Sequence, residues 1–157
     1  MINCIILLNV DIKDDVVMAK QPIVKFKDEE ELIKVCKYYQ HKLFLDNWTI
    51  KFKFDTNITD DYDNKCYGLT EANDANREAI ISINNDSYKL GTELTKNPVE
   101  LVVIHELLHI FYPMPVQSED TFEGAFYLNE KHKDIEAMAK AILMIKYDLD
   151  FSWFKNY

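Results

Sequence analysis

Three residues in the segment 97–115, NPVELVVIHELLHIFYPMP, have the types and the spacing of a metal site. His105 and His109 are four residues apart, so a helix places both imidazoles on one face, where each can bind zinc at about 2.0–2.1 Å. Glu106 lies about 100° further round such a helix, where it suits a water molecule held by the metal better than the metal itself. Its carboxylate could take a proton from that water during attack on a carbonyl and pass it to the leaving amine. The pattern predicts Zn²⁺ bound by His105 and His109, with Glu106 as general base.

A catalytic zinc needs a third protein ligand and keeps a fourth position open. Three candidates follow the motif, His132, Glu136 and Glu130. On a helix over residues 131–147, His132 lies nearest the apolar stripe, Glu136 lies at its margin, and Glu130 projects away from it. We favour His132, with Glu136 as the alternative third ligand; either could instead orient a ligand without binding the metal. His41 has no partner at metal spacing, so we expect it to be structural or exposed.

The motif segment is expected to form a central helix, because its aliphatic residues surround the histidines on nearly every side. Asn97 is a suitable N-cap, Pro98 suits the first helical position, and Glu100 sits where a capping box requires it. Pro113 and Pro115 should end the helix near residue 112.

The rest of the chain predicts an α+β domain with a small mixed sheet. Strands are expected over residues 4–12, 47–55, 67–71 and 79–84, and further helices over 27–45 and 131–147. Residues 116–130 are expected to form a loop. The buried side of the last helix should consist of Ile135, Met138, Ala139, Ile142, Leu143 and Ile145.

The segment VVIHELLHI resembles the active-site helix of zincin metallopeptidases, which share the pattern His-Glu-x-x-His. The expected order of elements, with a helix before the sheet and a helix after the motif, is similar to a minimal gluzincin-like layout of short, single-domain prokaryotic or phage-type zincins. Glu130 follows His109 at a spacing typical of gluzincins, whereas the longer metzincin signature is absent. The resemblance implies one metallopeptidase domain over residues 1–157. It also implies an edge strand, here around residues 67–71, that pairs with an extended peptide.

The composition argues against several other classes of protein. A net charge of −9 and a pI near 4.9 disfavour nucleic acids and anionic membranes as partners. No apolar run reaches the length of a membrane span, and the first residues lack the basic start of a signal peptide. Cys4, Cys36 and Cys66 form no paired motif, so we expect reduced thiols. These features predict a cytoplasmic protein, and the resemblance to zincins implies that it acts on a peptide or protein substrate.

The alternative is a non-catalytic binding or regulatory module that keeps the zincin-like fold with a structural or vestigial metal site. A structural zinc fills all four positions with protein ligands, for instance by using both His132 and Glu136. A catalytic zinc leaves one position to water. The number of protein ligands therefore separates the two interpretations.

Overall fold

The computed structural model describes residues 20–59, 65–87, 97–112 and 122–155. Its elements are α1 (Glu29–Lys42), β1 (Thr49–Phe54), β2 (Gly68–Asn73), β3 (Glu78–Ile83), α2 (Val99–Phe111) and α3 (Phe122–Tyr147), followed by a 3-10 turn at Phe151–Phe154. Three helices and a small mixed sheet confirm the predicted α+β class. The strand predicted over residues 4–12 lies outside the described residues.

The described strands form one sheet in the order β1-β3-β2. β1 runs parallel to β3, whereas β2 and β3 form an antiparallel hairpin. The alternation predicted for β1 is confirmed, because Ile50 and Phe52 are buried while Thr49 and Lys51 are exposed. Within this three-stranded sheet β2 is an edge strand, and it packs against α2.

Helix α2 lies at the centre of the described core, in contact with the sheet, with α1 and with α3. Residues 99–108 are all buried, as expected for a helix that is apolar on nearly every face. The predicted capping box is wrong: Pro98 is the N-cap residue, and no side chain caps this end of the helix. Glu100 instead turns inward, where the Tyr39 hydroxyl and the Lys146 ammonium donate hydrogen bonds to it. Buried donors from other helices therefore prevail over a local cap.

Helix α3 begins at Phe122, so the loop predicted over residues 116–130 is wrong from residue 122 onward. Phe126, Asn129 and Glu130, in the first part of this helix, are exposed. The later half has the expected buried stripe, with Ile135, Ala139 and Leu143 fully buried. Ile145 is 85% exposed, which corrects its assignment to that stripe, since it lies about 200° round the helix from Leu143.

Candidate metal centre

Three imidazoles converge where α2 packs against α3. Nε2 of His105 lies 3.2 Å from Nε2 of His109 and 3.1 Å from Nε2 of His132. Two nitrogens bound at about 2.0–2.1 Å to a tetrahedral zinc are about 3.3 Å apart. The group of His105, His109 and His132 could therefore hold a metal ion.

The surroundings of His105 suit a bound metal ion better than N–H hydrogen bonds between the three rings. Oε2 of Glu136 lies 3.2 Å from Nδ1 of His105, and this carboxylate favours the tautomer with the proton on Nδ1. The lone pair of His105 Nε2 then faces the other two rings. A cation between three such lone pairs satisfies all of them at once, whereas N–H donation between rings satisfies them only in pairs.

The electrostatics of the cluster favour the protonation states that can bind a cation. Burial, together with His105 and His132, lowers the pKa of His109 to about 4. Burial and His105 also lower the pKa of His132, although Glu136 opposes this change. The hydrogen bond with His105, helped by Lys140, lowers the pKa of Glu136 to about 2 despite its partial burial. At neutral pH, His109 and His132 are thus neutral, as metal ligands must be, and Glu136 is ionised.

Glu106 lies beside this cluster and is only 6% exposed. Burial raises the pKa of its carboxyl group, while His105 and a hydrogen bond from the Thr70 hydroxyl act in the opposite direction. A cleft of about 470 Å³ opens at this point. Its wall includes His105, Glu106, His132 and Glu136, together with Tyr67 and Gly68. The arrangement joins a buried carboxylate, a possible cation site and space for a ligand.

The structure separates the candidates for a third ligand. His132 joins His105 and His109, whereas Glu136 contacts the outward nitrogen of His105. Glu130 is exposed and pairs with Lys133, away from the three imidazoles.

The fourth histidine, His41, is exposed on α1 with Nδ1 at 3.0 Å from Asp46, as expected. Cys36 is a buried thiol and Cys66 a partly buried one, and Cys4 lies outside the described residues. In the part of the chain that the structure describes, every helix is too short or too polar to cross a membrane.

Four residues of the site were not singled out from the sequence, Tyr67, Gly68, Thr70 and Lys140, although the first three lie in the strand predicted around residues 67–71 to pair with a peptide. Gly68 carried a usable signal, because an isolated glycine within a strand pattern often marks the close approach of another group. Thr70 is a polar residue in the same strand, and its sequence context gave no signal that it belongs to the site. Lys140 lies one turn after Glu136 and pairs with it at 2.8 Å, as helical spacing allows.

No protein-family model, curated protein or solved structure matches this chain. The functional interpretation consequently rests on the residues of the site and on their geometry.

Proposed function

We propose that this chain is a zinc-dependent metallopeptidase with a zincin-like fold. The observation that carries the proposal is the convergence of three imidazoles beside a buried glutamate that lines a cleft, with His105 Nε2 at 3.1 Å from His132 Nε2 and at 3.2 Å from His109 Nε2. His105, His109 and His132 would bind the metal, and Glu106 would be the general base. The order of elements also supports it, with one helix before a small mixed sheet, the motif helix next and a helix after it.

A zinc ion in such a site supplies a Lewis acid that polarises the scissile carbonyl and lowers the pKa of a water molecule. Glu106 would accept a proton from the attacking water, because its buried carboxylate lines the same cleft as the histidines. As the C–N bond breaks, the same carboxyl group returns the proton to the leaving amine. Glu136 holds His105 in the tautomer that presents Nε2 to the cluster.

We place the peptide substrate along β2. This strand is an edge of the described sheet, it packs against α2, and its first residue, Gly68, lines the cleft. An extended peptide added to such an edge gains main-chain hydrogen bonds that do not depend on its sequence. The strand proposed for this role from the sequence, around residues 67–71, overlaps β2.

The contacts of Glu136 favour a catalytic site over a structural one. A structural zinc would take a fourth protein ligand. Among the described residues the convergent group contains three histidines, and the Glu136 carboxylate contacts His105 Nδ1. This arrangement fits a site with one position left to water.

Metal analysis of the purified protein tests the binding half of the proposal. We expect about one zinc per chain in the wild type and strongly reduced zinc in His105→Ala, His109→Ala and His132→Ala. His41→Ala is the matched control, because this histidine is exposed and lies outside the cluster. Equal zinc content in the cluster variants and in the control would refute the site.

Peptide hydrolysis tests the catalytic half, with new termini counted by mass spectrometry after incubation with a peptide library. We expect Glu106→Gln to keep its zinc and to lose activity by about 10²–10⁴-fold, the usual contribution of general acid–base catalysis. A zinc-loaded wild type that leaves the library intact would instead favour the non-catalytic binding module.

A further inference from the structure

Two residues of strand β2 hold the carboxylate of Glu106. The Thr70 hydroxyl lies 2.8 Å from Glu106 Oε2, to which it donates a hydrogen bond, and 3.0 Å from the Glu106 carbonyl oxygen. Gly68 lies against the other side of the group. A Cβ atom built on Gly68 would lie 2.6 Å from Oε1, 2.7 Å from Cγ and 2.9 Å from Cδ of Glu106. Any side chain at position 68 would therefore force the Glu106 carboxylate to move.

Strand geometry explains why these two residues act on the same group. Residues two apart in a strand point to the same face. Gly68 and Thr70 are partly buried, whereas Leu69 between them is exposed. Their partners on β3, Ile83 and Ile81, are fully buried. The face that meets Glu106 is consequently anchored to the core.

We propose that Gly68 and Thr70, together the Glu106 seat, are positioning residues that fix the direction in which the Glu106 carboxylate faces the cleft. A buried carboxylate that lacks a donor is costly, and the Thr70 hydroxyl supplies a donor from a strand that is distant in sequence. Glycine at position 68 leaves the room that the carboxylate occupies.

The consequence for hydrolysis rests on the proposed function, whereas the contact itself does not. Because β2 is also the proposed strand for the peptide, one anchored strand sets the position of both the base and the scissile carbonyl. A displacement of about 1 Å between reacting groups can lower a rate about 10²-fold. The Glu106 seat thus couples the alignment of the substrate to the alignment of the base.

Kinetics of the zinc-loaded enzyme provide the first test. Thr70→Val removes the hydroxyl at nearly constant volume, and we expect kcat to fall about 10- to 100-fold with KM within about twofold and zinc content unchanged. Thr70→Ser restores the hydroxyl and should recover most of kcat. Thr49→Val is the matched control, since Thr49 is an exposed threonine on β1.

Unfolding of the zinc-free protein provides a second test that needs no activity. In the wild-type background, Gly68→Ala should raise the unfolding equilibrium constant about tenfold or more, because the new Cβ overlaps the carboxylate. In a Glu106→Ala background the same change should cost less than about threefold. Thr70→Val should likewise cost more when Glu106 is present than when it is absent.

If Gly68→Ala destabilises the protein equally with and without Glu106, and Thr70→Val does the same, the Glu106 seat is overturned. A wild-type kcat in Thr70→Val would also overturn it. If the zinc-loaded wild type cuts no peptide while the stability coupling is present, the proposed function fails and the Glu106 seat stands as the contact that orients this carboxylate. The two failures are therefore distinguishable.

Discussion

Two regions of helix α2 contain buried polar groups that are compensated in different ways. At the first turn, Glu100 is completely buried and accepts hydrogen bonds from Tyr39, Lys146, Tyr147 and the backbone of Ile23 at 2.6–3.0 Å. The ammonium group of Lys146 also lies 4.8 Å from the centre of the Tyr39 ring and 4.9 Å from that of Tyr147. This end of the helix contains a carboxylate with its own cation.

From the middle of the helix to its last turn, His105 and His109 meet His132 through nitrogens that can each accept a hydrogen bond or bind a metal. The comparison teaches that burial by itself does not mark a functional group. Glu100 is more buried than His105, yet donors from the chain satisfy it. The histidines are distinguished because their nitrogens converge in a geometry that could hold a metal ion.

Glu100 and its partners Tyr39, Lys146 and Tyr147 form the Glu100 cluster. Breaking this cluster should have the largest effect on the free energy of unfolding. Lys146→Met leaves a buried carboxylate without its cation, and we expect a loss of about 3–5 kcal/mol in the free energy of unfolding. Urea denaturation of the zinc-free protein measures it. Lys140→Met is the control, because the Lys140–Glu136 pair is partly exposed and should contribute at most about 1 kcal/mol. Similar losses in both variants would contradict the view that the Glu100 cluster is complete without an added ion.

Added zinc should stabilise the protein through the three histidines and not through the Glu100 cluster. At a free concentration about a thousandfold above Kd, mass action predicts about 4 kcal/mol of stabilisation, seen as a rise in Tm that a chelator reverses. His105→Ala should abolish this increment, whereas Lys146→Met should retain it on a lower baseline. An increment that survives His105→Ala would mean that zinc binds elsewhere.

Changing the group that orients His105 should have a smaller effect. Glu136→Gln keeps the shape of the side chain but removes the charge that favours the Nδ1 proton, so zinc affinity should fall about 10- to 100-fold, or about 1.4–2.7 kcal/mol. Competition with a chelating dye measures Kd. A fall of many thousandfold, as expected for a lost ligand, would instead make Glu136 a direct ligand of the metal.

The smallest effect is expected at Glu130. Its carboxylate is exposed and pairs with Lys133 three residues later, so Glu130→Gln should leave zinc affinity and hydrolysis within about twofold of wild type. The same dye competition and peptide assay apply. Loss of zinc in this variant would support a gluzincin-type ligand set and would exclude His132 as the third ligand.

Sequence patterns predicted much of the fold where local periodicity is strong. The alternation in β1 and the uniformly apolar α2 are both observed, because each pattern reflects burial on known faces. The start of α3 was missed, since exposed residues such as Phe126 and Glu130 weaken the helical pattern at the beginning of this helix. Glu100 was misassigned to a cap because its true partners lie on two other helices.

The sequence by itself determined that His105 and His109 share a face with Glu106 beside them, because a helix repeats every 3.6 residues whatever surrounds it. Only the tertiary structure decided that His132 meets this pair, that Glu136 contacts the far side of His105, and that Thr70 and Gly68 hold Glu106. His132, Glu136 and Thr70 lie 27–36 residues along the chain from the residues they contact, and Gly68 lies 38 residues from Glu106. Their distances depend on how a helix and a strand pack against α2, and local periodicity contains no information about that packing.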